Sequence, residues 1–372
     1  MEPQKMKKAA VFHGAKKEFE VRDFPLAGSV PGMAGLNLIS SGICGTDVHI
    51  HDGYLGMPDI PLILGHEFIG EIDTLGTGKA EDALGNELKK GDRVIACVAI
   101  PCGKCFNCLR GETASCLHFG VTYVKNVNDM PHFHGGFAEY LYSPYANLVL
   151  LPQTVDPFSA AAFPCGGPTI IRSCEYGGGL NKDEIVVIQG NGSLGLFAAA
   201  WAKAHGCFVI IIGSAANPER IRLTEALKPD LFLDYRKNSP ETVAEQIRTI
   251  ASERNRGDGA DVVIETSGSA DAVPAGLNLL RTRGRYFIPG QYSDRGTVAI
   301  PPHLITFRAL QLIGSGQYTM KDLSTYVSFL AEHPELQQIF AQMVKKYPVS
   351  EVNAAMKNAK DGGAIKTVFA ME

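Results

Sequence analysis

Four cysteines lie close together in the sequence, at Cys102, Cys105, Cys108 and Cys116. Thiolates at this spacing can surround a tetrahedral Zn²⁺ at about 2.3 Å per sulfur. Cysteine makes up 9 of 372 residues, so three more cysteines at fixed offsets arise by chance with a probability on the order of 10⁻⁵. Thiolates also suit an iron–sulfur cluster, which is the alternative. Because the protein fills all four positions, we expect a structural metal, with zinc preferred.

A second set of metal-ligand residues is spread along the chain. Cys44 lies in segment 42–49, His66 comes between a glycine and Glu67, and Cys165 lies in a Pro-Cys-Gly-Gly run. One imidazole and two thiolates, with the fourth position left to water or substrate, form a known type of catalytic zinc site. Taken singly, each residue has a simpler explanation, since a lone cysteine is more often a small core residue. The spacing alone therefore leaves this open site as a hypothesis.

A glycine-rich turn follows the apolar run 185–189, which has the pattern of a buried strand, and apolar positions on one helical face come after it. The Gly-x-Gly-x-x-Gly motif of dinucleotide-binding proteins requires this strand–turn–helix context. Its glycines let the backbone approach a pyrophosphate, which binds at the helix N-terminus. The alternative is a structural glycine turn in an α/β domain. The predicted nucleotide-binding residues are Gly190, Gly192, Ser193, Leu194 and Gly195.

The choice between NAD and NADP depends on the end of the second strand of such a unit. NAD-selective sites usually carry Asp or Glu there, against the ribose 2′-hydroxyl. Gly213 and Ser214 take that place here, and Arg220 and Arg222 follow closely. No carboxylate at that place repels a 2′-phosphate, but the arginines have a simpler explanation as solvent-facing residues. The sequence leaves the preference open, with Ser214 and Arg220 as candidate contacts.

These motifs need elements that position them, and the chain shows two kinds of pattern. The first 155 residues or so contain short apolar runs separated by glycine and proline, which predicts a mostly β region with long loops. From near Ala160 onward, strand patterns alternate with helical segments, which predicts a parallel sheet covered on both faces. The tail has its own strand, helix and final strand, and we expect it to return to the first region. The predicted strands after Ala160 lie at 185–189, 208–213, 231–234, 262–265, 284–289, 311–315 and 364–370.

Composition limits the classes of protein that the chain can represent. A length of 372 residues, at about 150 per domain, predicts two domains. Lys and Arg total 35 against 39 Asp and Glu, a net charge of −4, which argues against nucleic acid or a membrane surface as partner. The longest uncharged stretch, 185–202, is interrupted by polar residues and is not typical of a membrane span. Nine cysteines and the absence of a signal-peptide pattern predict a cytoplasmic protein with thiols or metal ligands.

Taken in order, the motifs resemble those of the zinc-containing medium-chain alcohol dehydrogenase family. The resemblance covers nearly the whole chain and rests on segments 42–47, 65–67, 102–116, 135–140 and 190–195, and on Cys165 with Thr169 four residues later. It implies an α/β fold in which a Rossmann domain, a doubly wound parallel sheet, is inserted in a discontinuous, mostly β, GroES-like domain. The predicted domains are residues 1–165 with 311–372 for the catalytic zinc-binding part, and 166–310 for the dinucleotide-binding part.

The resemblance also assigns roles at the open metal site. Cys44, His66 and Cys165 would bind catalytic zinc. Glu67 would lie beside the metal and exchange with water as a ligand. Asp47 would hold the zinc-binding histidine in one tautomer. Many polyol-type relatives use glutamate as the third ligand, so Cys165 favours the alcohol-type pattern.

The third zinc ligand has a rival in Cys174, and we prefer Cys165 because Thr169 follows it at the spacing typical of the family. Thr169 would pack behind the nicotinamide ring. Thr46 and His49 would pass the proton of the alcohol to solvent. The simpler explanations are a hydroxyl bonded to the backbone and a surface histidine.

The implied reaction is reversible hydride transfer between an alcohol and NAD(P), giving an aldehyde or ketone, and we expect a secondary or bulky alcohol. Zinc would stabilise the alkoxide, as it lowers the pKa of bound water from 15.7 to about 7. The expected cofactors are two Zn²⁺ per chain, one catalytic and one structural, and NAD or NADP. The expected partners are a small-molecule alcohol or carbonyl compound and further copies of the chain in a homodimer or homotetramer.

Two other functions stay open at this point. Zinc-free members of the same superfamily reduce quinones or enones with NADPH, but they lack both metal sites. A non-catalytic nucleotide-binding scaffold would keep the fold and the structural zinc, and the intact Cys44, Thr46, His49 and His66 argue against it. Metal analysis separates the three, because we expect two zinc ions per chain for the dehydrogenase, one for the scaffold and none for the reductase.

Overall fold

Two units, each with its own hydrophobic core, make up the chain. A computed structural model describes residues 5–97, 99–291, 293–294 and 296–371. Unit 1 consists of Met1–Cys165 and Thr319–Glu372, and unit 2 of Gly166–Tyr318. The core of unit 1 combines residues from both of its segments, since Phe137 and Phe369 pack edge to face. The C-terminal tail therefore returns to the N-terminal region, as the sequence predicted.

Unit 1 is built mainly from short strands. Its first segment contains β1 (Met6–Phe12), β2 (Glu20–Pro25), β3 (Met33–Ile43), α1 (Gly45–Asp52), β4 (Leu62–Ile63), β5 (Glu67–Leu75), β6 (Arg93–Cys97), β7 (Ala99–Ile100), β8 (Gly120–Val121), β9 (Tyr140–Pro144), β10 (Leu148–Leu150) and α2 (Pro157–Ala160). Unit 2 follows with α3 (Gly166–Tyr176), β11 (Ile185–Gln189), α4 (Ser193–Ala204), β12 (Phe208–Gly213), α5 (Pro218–Ala226), β13 (Leu231–Asp234), α6 (Pro240–Glu253), β14 (Ala260–Glu265), α7 (Ala272–Leu279), β15 (Leu280–Ile288), α8 (Pro302–Phe307) and β16 (Gln311–Gly314). The tail of unit 1 adds α9 (Met320–Glu332), α10 (Pro334–Gln342), β17 (Val344–Tyr347), α11 (Val352–Lys360) and β18 (Lys366–Phe369).

Strand β3 is the centre of the large sheet of unit 1. The sheet has the order β10-β6-β5-β3-β18-β17, and β9 also pairs with β3. Both β5 and β18 run antiparallel to β3, with Gly42 opposite Glu67 and opposite Val368. Because β3 has neighbours on both edges, its residues are largely buried. The end of β3 therefore meets the start of β5 and the middle of β18 in one place.

Unit 2 contains a parallel sheet with the strand order β13-β12-β11-β14-β15-β16. The first strand, β11, is apolar and fully buried along its length, as expected for a parallel strand covered on both faces. Helices α5 and α6 each begin with proline directly after a capping residue. Asn217 accepts a hydrogen bond from the backbone of α5, and Ser239 accepts one from the backbone of α6. This alternation confirms the predicted α/β class with a doubly wound parallel sheet.

The boundary between the units differs from the prediction at one strand. The sequence placed 311–372 together, but Gln311–Gly314 pairs in parallel with β15 and lies in unit 2, which ends at Tyr318. The physical reason is that β16 forms parallel hydrogen bonds with the edge of β15 that would otherwise be unpaired. An apolar run in the sequence does not reveal which sheet it joins. Among the residues described, no helix is both long and apolar enough to cross a membrane.

Candidate active site

The turn after β3 and the start of β5 bring the open metal site together in unit 1. Cys44 caps the N-terminus of α1, directly after β3, and His66 immediately precedes β5. Cys165 ends the segment that follows α2. One ligand atom from each of Cys44, His66, Glu67 and Cys165 lies within 4.8 Å of the others. The structure thus brings together all three residues expected to bind the catalytic metal.

Hydrogen bonds and charges among the three expected ligands shift their pKa values. A hydrogen bond from the Cys165 thiol lowers the pKa of Cys44 well below its usual value, although burial opposes the shift and His66 assists it. The same bond and burial raise the pKa of Cys165. Burial by itself would lower the pKa of His66, but Asp47 and Cys44 outweigh it and raise that pKa. A divalent cation would displace these protons on binding, so the donor set fits Zn²⁺ bound by sulfur and nitrogen.

Asp47 fixes this arrangement from the first turn of α1. Its carboxylate is completely buried, and one oxygen accepts a hydrogen bond from the Cys44 backbone N–H at 2.8 Å. The other oxygen lies 3.4 Å from His66 Nδ1. A carboxylate near Nδ1 favours the tautomer that leaves Nε2 for a metal.

Glu67 forms an ion pair that the sequence did not reveal. Its Oε2 bonds the ammonium of Lys366 on β18, and both side chains are almost fully buried. Burial raises the pKa of Glu67 to about 7, even though Lys366 lowers it. A lysine in the buried final strand was the available signal, because a buried lysine needs a partner. Lys366 is therefore a site residue that sequence reasoning missed.

Thr46 and His49 lie on α1 beside the metal ligands. Thr46 Oγ1 is 3.8 Å from Cys44 Sγ. The His49 ring meets the ring of Tyr54 edge to face, with centroids 6.1 Å apart. Residues three apart on a helix share one face, so Thr46 and His49 lie on the same side of α1.

The four-cysteine segment forms a separate cluster in unit 1. The sulfurs of Cys102, Cys105, Cys108 and Cys116 all lie within 4.8 Å of one another. Backbone N–H groups point at these sulfurs, including that of Cys102 toward Cys116 at 3.2 Å. The backbone N–H of Cys108 lowers the pKa of Cys105 to about 6, which favours a thiolate. Burial raises the pKa of Cys108 to about 12, so the proximity of the four sulfurs, and not a shared thiolate state, is what fits a closed tetrahedral site.

The glycine loop of unit 2 lies between β11 and α4, as predicted. Gly190 has φ of +117°, which L side chains rarely adopt. A Cβ on Gly195 would collide with the Gly190 carbonyl and lie 2.8 Å from Thr266 Oγ1, so this glycine permits close packing of α4. A Cβ on Gly192 would meet nothing within 4 Å, which leaves open space against that backbone. Ser193 and Leu194 begin α4, where helix N–H groups suit a pyrophosphate.

The end of β12 carries the candidate contacts to the adenosine ribose. The backbone N–H of Ser214 donates to the Asn191 side chain at 3.2 Å, and Asn191 donates back to the Ser214 carbonyl at 3.1 Å. Asn191 thus ties the glycine loop to the end of β12, a contact that sequence reasoning missed. Arg220 lies in the first turn of α5, where burial lowers its pKa while Tyr235 opposes the shift. Thr169 lies within α3 of the same unit.

Two family models match the chain. The model described as "Alcohol dehydrogenase GroES-like domain" matches residues 31–153, and "Zinc-binding dehydrogenase" matches residues 193–332. The sequence is 30% identical over 352 residues to the 5-exo-hydroxycamphor dehydrogenase of Pseudomonas putida, covering 94% of this chain and 95% of that protein. It is 32% identical over 338 residues to the sorbitol dehydrogenase of Halalkalibacterium halodurans, covering 88% and 89%. These matches, with the fold and the metal-ligand clusters, define a zinc-binding dehydrogenase.

The chain belongs to the zinc-containing medium-chain alcohol dehydrogenase family. Its fold matches the crystal structure of an alcohol dehydrogenase from Thermotoga maritima with a TM-score of 0.89 and 25% identity, covering 99% of this chain and 100% of that one. The protein is therefore an enzyme that interconverts a small-molecule alcohol and its carbonyl product with zinc and NAD(P). The predicted family, GroES-like and Rossmann fold, and reaction class are confirmed.

Proposed function

We propose that Cys44, His66 and Cys165 bind the catalytic zinc of this dehydrogenase, and that its substrate is a secondary alcohol or the matching ketone. The observation that carries the proposal is the convergence of two sulfurs and one imidazole within 4.8 Å, next to the buried Asp47. Three such protein ligands leave a fourth coordination position for substrate, which is typical of catalytic zinc.

The residues around this site suit removal of a proton from an alcohol. Zinc, when bound, supplies Lewis acidity that makes an alcohol more acidic, and NAD(P), when bound, supplies the hydride acceptor. Asp47 keeps the proton of His66 on Nδ1, 3.4 Å from its own carboxylate. The Thr46 hydroxyl accepts a hydrogen bond from the substrate hydroxyl and, as it takes that proton, passes its own proton on toward His49 and solvent.

The remaining sites follow from the same proposal. We assign a structural zinc to Cys102, Cys105, Cys108 and Cys116, because their sulfurs fill a closed tetrahedral set. We assign the first segment of the chain and its tail to catalysis, and the middle segment to the nucleotide. The nucleotide contacts that we propose are Gly190, Gly192, Ser193, Leu194, Gly195, Thr169, Ser214 and Arg220.

Support for a secondary alcohol comes from one relative and one loop. The Pseudomonas putida relative is named for 5-exo-hydroxycamphor, whose hydroxyl is borne by a ring carbon. In this chain the loop after α1 carries Leu55 and Met57, which pack partly buried on the core of unit 1, and an exposed Tyr54 beside His49. Apolar side chains next to the relay suit a substrate with carbon on both sides of the reacting hydroxyl.

We also propose that the enzyme acts as a homodimer or homotetramer in the cytoplasm. Leu312 on β16, the last strand of the parallel sheet as described, is 38% exposed, and Phe307 at the C-terminus of α8 is 83% exposed. Apolar residues on a sheet edge favour association. All nine cysteines lie within the described residues and none of them forms a disulfide, which suits a reducing compartment.

Two cysteine variants test the metal assignment. Cys165→Ala removes one proposed ligand, so we expect loss of about one zinc per chain and of turnover, by at least 10²-fold, because the site no longer has three protein ligands. Cys174→Ala is the matched control, since that thiol is buried in unit 2 and has its pKa raised to about 12 by burial. Zinc content by atomic emission and turnover of a panel of alcohols with NAD and NADP are the measurements. The reverse pattern, with Cys174→Ala losing zinc, would overturn the assignment.

A further inference from the structure

Gly42 on β3 has no side chain, and this leaves room for the ion pair of Glu67 and Lys366. Three adjacent strands carry this arrangement, because β18 and β5 flank β3 on opposite edges. Gly42 lies opposite Glu67 in the β3–β5 pairing. A Cβ on Gly42 would collide with Glu67 Oε2 and approach Lys366 Cε to 2.7 Å. The lysine therefore crosses the central strand through the space that the glycine leaves.

The ion pair lies against the proposed zinc ligands. The exposed fractions of the Lys366 and Glu67 side chains are 5% and 1%. A Glu67 oxygen lies within 4.8 Å of the ligand atoms of Cys44, His66 and Cys165. The Glu67 carboxylate thus contacts the Lys366 ammonium and also lies close to the cation position.

We propose that Lys366 is a positioning residue that holds Glu67 off the catalytic metal and so keeps the fourth coordination position free. This inference rests on the proposed function, because it requires a cation at Cys44, His66 and Cys165. A buried carboxylate without a partner is costly. If Lys366 loses its charge, the nearest compensating charge for Glu67 is the metal, and the carboxylate then occupies the position that a substrate needs.

The test uses the cobalt(II)-substituted protein and imidazole as an external metal ligand. Imidazole binds only where a coordination position is open, so the change in the cobalt absorption spectrum reports the Cys44 site and not the closed four-cysteine site. In Lys366→Met we expect imidazole affinity to fall at least tenfold, because Glu67 competes for the metal. In the double variant Lys366→Met/Glu67→Gln we expect affinity within about threefold of wild type, since no carboxylate remains. The control Lys8→Met removes the ammonium of an exposed pair with Asp23 and leaves the affinity unchanged.

A second comparison does not need Lys366→Met to fold. Glu67→Gln in the wild-type background leaves imidazole affinity unchanged if Lys366 already holds the carboxylate away, whereas at least tenfold tighter binding would show that Glu67 ligates the metal in the wild type and overturn the inference. Equal imidazole affinity in Lys366→Met and wild type would also overturn it. A wild-type protein that binds cobalt at the four-cysteine cluster but shows no response to imidazole would instead refute the proposed catalytic site.

Discussion

Gly192 and Gly195 belong to the same glycine motif, but we expect their replacement by alanine to have different consequences. In Gly195→Ala the new Cβ collides with the Gly190 carbonyl and lies 2.8 Å from Thr266 Oγ1, and both atoms are held by the end of the parallel sheet. In Gly192→Ala the new Cβ meets nothing within 4 Å, and the backbone φ of −81° is one that alanine adopts readily. Gly195 is therefore required by packing, whereas Gly192 is required only if a ligand approaches it.

The expected magnitudes follow from these contacts. Overpacking of this kind destabilises a protein by about 1–3 kcal/mol. Replacing a helical glycine by alanine stabilises the helix by about 0.5–1 kcal/mol, which offsets part of that loss. We therefore expect Gly195→Ala to lower the free energy of unfolding by about 1–2 kcal/mol. For Gly192→Ala we expect a smaller loss, about 0.5–1 kcal/mol, because glycine is preferred to alanine at a helix N-cap.

Nucleotide binding separates the two glycines a second time. In a dinucleotide loop the second glycine lets the backbone approach the pyrophosphate, and the third allows close packing of helix on strand. We expect both variants to bind NAD(P)H at least tenfold more weakly, but Gly195→Ala to lose more stability than Gly192→Ala. Fluorescence titration with NADH and NADPH, together with urea unfolding followed by tryptophan fluorescence, measures both quantities. Wild-type affinity in Gly192→Ala would refute the pyrophosphate site, and wild-type stability in Gly195→Ala would refute the packing.

Three further predictions concern unit 2, the four-cysteine cluster and the proton relay. Asp261 is buried and its carboxylate accepts hydrogen bonds from Arg256 and Arg281, which lower its pKa although burial opposes them. The ionised Asp261 carboxylate stabilises the fold above pH 3.8, and this contribution is lost as the pH falls through the lower pKa of the folded state. Asp261→Asn should lower the free energy of unfolding in urea by about 3 kcal/mol at pH 7 and show a smaller further loss of stability in acid. Cys105→Ser should remove one zinc per chain and lower the melting temperature, while the imidazole response of the cobalt form is retained. His49→Gln should slow alcohol oxidation about 10²-fold, most strongly at low pH where proton removal is hardest.

Each of these expectations has a clear contrary result. An acid unfolding profile of Asp261→Asn that parallels wild type would show that this carboxylate does not contribute to acid sensitivity. Full zinc content in Cys105→Ser would show that the cluster holds no metal. An unchanged pH profile of turnover in His49→Gln would exclude a relay role for that imidazole.

Local patterns were predictable wherever chemistry is carried by neighbours in sequence. The four cysteines are close enough along the chain for their spacing alone to indicate a metal site, and the structure gathers their sulfurs. The glycine loop was recognisable because strand, turn and helix follow one another directly. Asn191 lay within that same loop, yet its bonds to Ser214 depend on the neighbouring strand β12 and left no trace in the local pattern.

The open metal site shows what sequence and tertiary structure each decide. The sequence by itself determined the donor types, because sulfur, imidazole and carboxylate side chains at Cys44, His66, Glu67 and Cys165 suit a divalent cation. Only the tertiary structure decided that they meet, since antiparallel pairing of β3 with β5 places the end of one strand beside the start of the other. The same sheet brings Lys366 from the far end of the chain across β3 to Glu67. Strand pairing acts between residues of any separation in sequence, so spacing alone does not report it.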